Sequence, residues 1–302
     1  MKLRNSMRHS GSYLALVAVV MFLQGADAAQ PAVEPAIKPI HAVKIILVGD
    51  STTQVHSGWG GSFCAHHLTS LAACVNLGRG GRSTRSYREE GSWKLALSEA
   101  RSRGFAATWI LIQFGHNDQP GKPGRSTDLA TEFPANLRRY VAEALAAGAH
   151  PVLLTPLTRR QFESGQLQND LAPWAAVVAR VAAEKHVPLV DLNGLSAQAV
   201  QAMGATEANK LAQMAPSAEV AAAAATGTSI PAQTGVAPAS VARAADATSA
   251  QASAPSAAGP TGRAGSVFDY THLGRGGADY FAKMVTEELA VQVPTLREYL
   301  VP

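Results

Sequence analysis

Charged residues are scarce in this chain of 302 residues, since Asp, Glu, Lys and Arg together make up 16% of it. The formal net charge is +4, and taking away the first 28 residues removes Lys2, Arg4, Arg8 and Asp27, which leaves +2. A chain so close to neutral gives no electrostatic reason to bind nucleic acid. We therefore predict no nucleic-acid partner.

Cysteine is rarer still, because Cys64 and Cys74 are the only two. No second pair of Cys or His accompanies them at the spacing of a zinc site, so we predict no metal. Two interpretations of the pair stay open from the sequence. One is a disulfide, which an oxidising compartment would permit, and the other is two buried thiols.

One long apolar run, Tyr13 to Leu23, follows the basic start, and Ala26-Asp27-Ala28 then supplies small residues in an A-x-A arrangement. This pattern predicts a signal peptide at 1–28 that is cleaved before Ala29. A membrane anchor is the alternative, but the run has roughly half of the ~20 residues that span a bilayer. We therefore predict a periplasmic or secreted protein without a stable membrane anchor.

Regular structure is predicted from Val43 onward, after a flexible, Pro- and Ala-rich lead-in at 29–42. Five short apolar runs alternate with helical stretches at about 60–72, 93–103, 131–147, 171–186 and 276–291. The five runs are "VKIILVG", "CVNLG", "TWILIQFG", "PVLLTP" and "VPLVDL". Such alternation is typical of a parallel sheet with helices on both faces, in which sites form at the carboxyl ends of the strands.

The tract at about 204–265 breaks this pattern, because it holds few charges and few large apolar residues. We predict that it is a low-complexity, disordered insertion in a domain that spans 43–302. An Ala-rich helix is possible in its first part. A small second domain is the alternative, although the tract offers little apolar surface to bury.

Three of the predicted strands run into loops that carry polar or glycine residues. Ser51 in "GDSTT" stands where an exposed nucleophile would lie, although Ser and Asp at strand ends also serve as helix caps. The Gly-rich "NLGRGGRS" offers a peptide N–H to a negatively charged oxygen, or it is a plain flexible turn. Asn117 in "FGHND" offers an amide donor or forms a turn. We interpret His116 beside it as structural.

A fourth block, "DYTHL", carries Asp269 and His272. A neutral imidazole takes a proton from a hydroxyl group, and a nearby carboxylate holds the tautomer that this requires. Taken alone, the spacing also fits a pair of metal ligands or a helix cap. Asp191, after the fifth strand, is a competing carboxylate that we interpret as a structural turn residue.

The blocks "GDSTT", "NLGRGGRS", "FGHND" and "DYTHL" match the four blocks of the SGNH (GDSL-like) hydrolases in order, and the chain therefore resembles that superfamily. Segments such as "SGWGGSF" and "TPLTRRQF" look like its rhamnogalacturonan acetylesterase branch, carbohydrate esterase family twelve. The resemblance covers about 43–203 and 266–292. It implies a flavodoxin-like, three-layer α/β/α sandwich with a five-stranded parallel sheet. The chain departs from the branch at Gly78, where Ala is usual, and in the long Ala-rich tract.

By that resemblance Ser51 is the nucleophile, His272 is the base and then the acid, and Asp269 orients His272. The oxyanion would receive hydrogen bonds from the backbone N–H groups of Ser51 and Gly81 and from the side-chain amide of Asn117. The resemblance implies a two-step acyl transfer that needs no metal or organic cofactor.

Loops at the same edge of the predicted sheet carry arginines and a tryptophan. Arg82, Arg85 and Arg159 are candidates for binding the carboxylates of an acidic polysaccharide. Trp59 is a candidate for stacking on a sugar ring. The alternative is that the arginines pair with nearby acids and that Trp59 lies in the core.

We therefore expect a secreted serine esterase that removes O-acetyl groups from plant cell-wall polysaccharide, with pectin (rhamnogalacturonan) as the main candidate. Its partner would be an acetylated polysaccharide or oligosaccharide. The alternatives are a broad-specificity carboxylesterase, a deacetylase of xylan or another glycan, and a catalytically silent carbohydrate-binding protein.

Overall fold

A five-stranded, all-parallel sheet forms the centre of the computed structural model, which describes residues 40–232 and 267–302. Its strands are β1 (Ile40–Gly49), β2 (Ala72–Asn76), β3 (Phe105–Gln113), β4 (His150–Leu154) and β7 (Leu189–Val190). A short antiparallel hairpin, β5 (Phe162–Glu163) and β6 (Gln166–Leu167), follows β4. The spatial order β2-β1-β3-β4-β7 is that of flavodoxin-like sheets. The predicted α/β fold class is confirmed.

Helices cover both faces of the sheet. They are α1 (Gly60–His66), α2 (Ser86–Glu89), α3 (Ser92–Ala100), α4 (Glu132–Ala146), α5 (Ala172–Lys185), α6 (Leu192–Asn209), α7 (Ala218–Ala225) and α8 (Arg275–Gln292), with a 3-10 helix at Pro294–Tyr299. Side chains alternate between faces along β1, so that Ile45 and Leu47 lie in one apolar cluster and Ile46 and Val48 in the other. Because both faces are buried, the strands read as continuous apolar runs.

All five predicted helical stretches overlap observed helices, but α2, α7 and the greater part of α6 were not predicted. Helix α6 begins directly after β7, where the Asp191 carboxylate accepts a hydrogen bond from the Gly194 N–H at 3.2 Å. The same carboxylate accepts from the Thr155 hydroxyl at 2.9 Å. Asp191 is therefore a helix cap, which agrees with its interpretation as structural.

The prediction of disorder is wrong for residues 204–232, which are folded, and the alternative of an Ala-rich helix in the first part of the tract is supported. Gly204 kinks α6 with a φ of 72°, and Ser217 caps α7 by accepting from the Val220 N–H. Val220 then packs with Phe268 and Tyr270 in a small apolar cluster. Alanine is the best helix former, so a composition that resembles low complexity builds helix here once a few apolar contacts anchor it.

Two sequence predictions lie outside the described residues. They are the signal peptide at 1–28 with most of the lead-in at 29–42, and the remainder of the insertion at 233–266. Across 40–232 and 267–302, no helix is both long enough and apolar enough to cross a bilayer.

A disulfide joins Cys64 on α1 to Cys74 on β2, with the two Cα atoms 5.5 Å apart. It ties the helix that follows the Ser51 loop to the edge strand of the sheet. Of the two interpretations that the sequence left open, the structure supports the disulfide.

Replacing both cysteines by serine should lower the free energy of unfolding by about 2–3 kcal/mol, because a short closed loop is released in the unfolded chain. Urea unfolding of the unmodified protein and the double variant, each with and without reductant, measures this. Reductant should destabilise only the unmodified protein, and equal midpoints for all four samples would contradict the prediction.

Candidate active site

Ser51 lies immediately after β1, in a turn that its neighbours hold. The Asp50 carboxylate accepts hydrogen bonds from the N–H and the hydroxyl of Thr52, both at 2.8 Å. Gly49 permits the turn, because a Cβ atom at that position would lie 2.6 Å from the carbonyl oxygen of Gln113. Ser51 itself is 9% exposed, at the rim of the sheet edge.

The buried Gln113 side chain at the end of β3 fixes this turn. Its Oε1 accepts hydrogen bonds from the Thr53 hydroxyl at 2.6 Å and the Trp59 indole N–H at 2.9 Å. Its Nε2 donates to the carbonyl of Thr155, after β4, at 3.3 Å. One amide therefore connects the loops after three adjacent strands.

The loop after β2 lies directly against the Ser51 turn. The Asn76 amide donates to the carbonyl of Thr53 at 3.0 Å, and the Arg79 N–H donates to the carbonyl of Gly49 at 2.9 Å. Gly81 has a φ of 78°, which a residue with a side chain adopts only with strain. Within the described ranges, neither the Ser51 N–H nor the Gly81 N–H donates to another protein group.

Asn117 follows β3 and reaches the same edge. One hydrogen of its side-chain amide is donated to the carbonyl of Arg82 at 3.0 Å, which leaves the second hydrogen for another acceptor. Asp118 anchors this loop by accepting from the Thr84 N–H at 3.0 Å and the Thr127 hydroxyl at 3.0 Å. Burial raises the pKa of Asp118 to about 7, although hydrogen bonds from Thr84 and Thr127 oppose that rise.

His116 is buried behind the turn, with its Nδ1 3.5 Å from an Asp50 carboxylate oxygen. Burial alone would raise the pKa of Asp50, but the nearby His116 ring and the hydrogen bonds from Thr52 outweigh it and lower the pKa. This position agrees with the structural interpretation of His116.

Asp269 and His272 form a hydrogen-bonded pair. The His272 Nδ1 lies 2.7 Å from one Asp269 carboxylate oxygen, and the other oxygen accepts from the N–H groups of Thr271 and His272, both at 2.7 Å. The side chains are 39% and 35% exposed, so the pair is open to a ligand. Burial opposes ionisation of Asp269, but the hydrogen bond and charge of His272 prevail and lower its pKa to about 2.

Arg160 holds the segment that carries this pair, although its side chain is fully buried. Its guanidinium donates to the carbonyls of Asp269 at 3.1 Å, Thr271 at 3.3 Å and His272 at 2.9 Å. Its backbone N–H donates to the carbonyl of Tyr270 at 2.9 Å. Burial lowers the pKa of Arg160 to about 10 despite the opposing charge of Asp269, so the group stays cationic near neutrality.

The segment that carries His272 is also joined to the Ser51 loop. The Leu273 N–H donates to the carbonyl of Ser57 at 2.9 Å, and the Ser57 hydroxyl lies 3.5 Å from the carbonyl of Ser51. Hydrogen bonds thus connect the first three sequence blocks directly, and Ser57 links the fourth block to the Ser51 turn. This arrangement fits acyl transfer, in which a hydroxyl, an imidazole and several N–H donors surround one carbonyl.

The residues predicted to bind substrate do not lie where that role requires. Trp59 is fully buried and cannot stack on a sugar, so that prediction is wrong; its ring is needed in the core against Phe63. Each candidate arginine is paired with a carboxylate: Arg82 with Glu90, Arg85 with Glu132, and Arg159 with Asp170. These pairs favour the alternative of structural ion pairing.

Gln113, Ser57 and Arg160 were missed by the sequence analysis. Gln113 carries a signal, since it is the polar residue that ends the apolar run "TWILIQFG". Arg160 carries no such signal, because the sequence does not distinguish a buried guanidinium from an exposed one. In the part of the chain that the structure describes, no group of three or more His, Cys, Asp or Glu side chains is placed to hold a metal ion.

Comparison with known proteins gives consistent results. Residues 47–213 match the model of the GDSL-like Lipase/Acylhydrolase family. Over 155 residues the chain is 36% identical to the Bacillus subtilis protein named "Probable rhamnogalacturonan acetylesterase YesY". The match covers 49% of this chain and 69% of that protein. Over 159 residues it is 36% identical to rhamnogalacturonan acetylesterase RhgT of Bacillus subtilis. This match covers 50% of this chain and 65% of RhgT.

A solved structure supports the fold. The crystal structure of protein YXIM from Bacillus subtilis superposes with a TM-score of 0.57 and 21% identity. The match covers 84% of this chain and 58% of that one, so this chain spans less than two thirds of YXIM and of RhgT.

Replacing His272 by Phe should raise the pKa of Asp269 from about 2 toward its ordinary value of 3.8. A lowered carboxyl pKa means that the pair stabilises the fold above about pH 4, and that this contribution is lost as the pH falls through about 2. NMR titration of the carboxyl carbon measures the shift. His150 begins β4, at the amino ends of the strands and away from Asp269. His150→Phe should therefore leave the Asp269 titration unchanged, and equal shifts in both variants would refute the pairing.

Arg160→Met should lower the free energy of unfolding by about 2–4 kcal/mol, because the carbonyls of Asp269 and Thr271 lose their donor, while that of His272 keeps the Gln213 N–H. Arg159→Met removes an ion pair whose carboxylate, Asp170, is exposed to solvent, and it should cost less, about 1 kcal/mol. Urea unfolding of the two variants measures the free energy that each substitution costs. Equal losses would show that Arg160 does not hold the Asp269–His272 segment.

Proposed function

The chain belongs to the GDSL-like lipase/acylhydrolase family, and we propose that this carboxylic ester hydrolase removes O-acetyl groups from acetylated carbohydrate, with pectin-type polysaccharide as substrate. The observation that carries the proposal is the meeting of four loops at one sheet edge. They bring the Asp269–His272 pair, the unused N–H groups of Ser51 and Gly81, and the Asn117 amide to that edge.

The hydrogen bond to Asp269 defines the role of His272. With Nδ1–H donated to the carboxylate, the other ring nitrogen, Nε2, carries the lone pair and can act as base. Ser51 Oγ attacks the acetyl carbonyl and passes its proton to His272. His272 then protonates the departing sugar hydroxyl, which leaves an acetyl-serine ester. Water, deprotonated by the same imidazole, attacks that ester, and acetate leaves as Ser51 regains its proton.

Three donors would stabilise the oxyanion in each tetrahedral intermediate. They are the N–H groups of Ser51 and Gly81 and the second amide hydrogen of Asn117. The left-handed backbone of Gly81 and the anchored loop of Asn117 hold these donors before substrate arrives. Donors fixed in advance need no reorganisation as charge develops, which is why such groups contribute much of the catalysis.

The substrate class rests on the relatives. Two curated relatives at 36% identity are named as rhamnogalacturonan acetylesterases, one of them as probable. A deacetylase of xylan or another glycan and a broad-specificity carboxylesterase use the same chemistry and stay as alternatives. Export to an oxidising compartment is part of the proposal, and the Cys64–Cys74 disulfide supports it, because such bonds persist there.

Ser51→Ala should abolish hydrolysis of 4-nitrophenyl acetate, since no other hydroxyl would replace the attacking group. Asn117→Ala should lower kcat by about 10²–10³, the usual cost of losing one oxyanion donor. Steady-state kinetics on the purified protein measure both.

Ser70→Ala, an exposed serine, is the matched control and should leave the rate unchanged. If Ser51→Ala and the unmodified protein hydrolyse the ester equally fast, the assignment of the nucleophile fails. Acetate release from acetylated pectin and from acetylated xylan then decides between the substrate classes.

A further inference from the structure

Two buried ionisable side chains beside the candidate active site take no part in the proposed reaction. Asp50 comes directly before the nucleophile Ser51, and His116 comes directly before Asn117. Strands β1 and β3 are neighbours, and their last residues are in register, so the loops that follow them leave the sheet side by side. Asp50 is fully buried and His116 is 3% exposed. The pair therefore lies where the nucleophile turn meets the loop of the oxyanion donor.

The polar atoms of these two side chains face each other. One Asp50 oxygen accepts from Thr52, whereas the other, Oδ2, has no hydrogen-bond partner among the described residues. Neither nitrogen of the His116 ring has such a partner there, and Nδ1 lies 3.5 Å from Asp50 Oδ2. An imidazole N–H donates and a carboxylate accepts, and a movement of about 0.5 Å would bring the two atoms to the usual hydrogen-bond distance. Because a buried polar group without a partner is costly, the contact stabilises both atoms.

The charge of Asp50 agrees with this contact. Burial by itself would raise the pKa of Asp50, but the His116 ring and the hydrogen bonds from Thr52 lower it below its ordinary value of 3.8. Asp50 is therefore ionised at neutral pH. Two further ionisable groups interact with its charge, the buried carboxyl of Asp118 and the ammonium of Lys122. An ionised carboxylate inside the protein needs a donor that faces it, and the His116 ring is placed to supply one.

The backbone of His116 is held as well. The Lys122 ammonium donates to the carbonyl of His116. With the main chain held in this way, the contact between the ring and Asp50 fixes the loop relative to the turn after β1. The next residue is Asn117, whose side-chain amide donates one hydrogen within the protein and offers the second to the oxyanion in the proposed reaction. A displacement of His116 would therefore displace that donor from the acetyl carbonyl.

We propose that His116 is a positioning residue, whose ring contacts the Asp50 carboxylate and thereby sets the position of the Asn117 amide relative to the Ser51 turn. This inference rests on the proposed function, because it deepens the assignment of Asn117 as an oxyanion donor. The Asp269–His272 pair orients the base, and the Asp50–His116 pair orients the donor. A ring that only filled space would not need a buried carboxylate beside it, since burying that charge is costly.

Two substitutions of His116 separate positioning from packing. His116→Leu removes the donor that faces Asp50, and it should lower kcat on 4-nitrophenyl acetate about tenfold to a hundredfold with little change in KM, because a misplaced oxyanion donor costs less than a missing one. His116→Asn puts an amide N–H near the position of Nδ1, so it should keep kcat within about threefold of the unmodified protein. If the ring only filled space, leucine would be the milder change, because it is closer to histidine in size.

His67 supplies the matched control, because it is a second buried histidine that faces a carboxylate. It is 7% exposed, and its Nε2 lies 3.4 Å from a carboxylate oxygen of Asp279. His67→Leu should lower the urea midpoint of unfolding but leave kcat unchanged. All rates are measured on protein that circular dichroism shows to be folded.

The double variant His116→Leu/Asn117→Ala tests whether His116 acts through Asn117. It should be about as slow as Asn117→Ala alone, because no donor is left to be positioned. As a measurement without turnover, NMR titration of the Asp50 carboxyl carbon should give a higher pKa in His116→Leu than in the unmodified protein, since burial then acts with less opposition. In His116→Asn the shift should be smaller.

An unchanged kcat in His116→Leu, an equal loss in His116→Leu and His116→Asn, or losses that multiply in the double variant would overturn the positioning role. If hydrolysis of 4-nitrophenyl acetate still depends on Ser51 in that case, the proposed function survives and only the role of His116 fails. An unmodified protein whose ester hydrolysis does not depend on Ser51 would remove the proposed function itself.

Discussion

The arrangement of the site depends on a buried guanidinium that satisfies carbonyl groups instead of a carboxylate. Arg160 donates to the carbonyls of Asp269, Thr271 and His272 from inside the protein. These peptide groups lie in an irregular segment, where no helix or strand supplies their hydrogen bonds, and leaving them unpaired in the interior would be costly. The charge of Arg160 therefore fixes the path of the backbone that presents the imidazole.

A neutral group performs the same task on the other side of the site. Gln113 lies at the end of the central strand and connects the turn after β1 to the loop after β4. Asp118 and Asp50 add buried carboxylates that accept from backbone and hydroxyl donors. The reactive groups are thus held by buried polar side chains, while the apolar clusters below support the sheet. This division explains why a site made of loops can still be rigid.

The sheet could be predicted from the sequence because each of its strands is an apolar run bounded by loop residues. From the block order we predicted that Ser51, Asn117 and His272 meet at one edge, since parallel strands place their carboxyl ends together; hydrogen bonds between the loops that carry them support this prediction. Burial of individual polar and aromatic residues could not be predicted in the same way. The sequence left open whether Trp59 stacks on a sugar or lies in the core, and no pattern in it indicated that Arg160 is buried and holds the Asp269–His272 segment. Helix α7 and most of α6 were missed because their sequences show little amphipathic contrast.

The contact between Tyr270 and Ile230 has a consequence for engineering. The Tyr270 hydroxyl donates to the Ile230 carbonyl at 2.7 Å, and Phe268 belongs to the same small cluster. The residues just before and just after the stretch 233–266 are thereby held together by their own contacts. Since the entropic cost of closing a loop grows only slowly with its length, we expect the position of His272 to depend on these flanks and little on the length of chain between them. The stretch 233–266 is therefore a candidate position for inserting a second domain close to the active site.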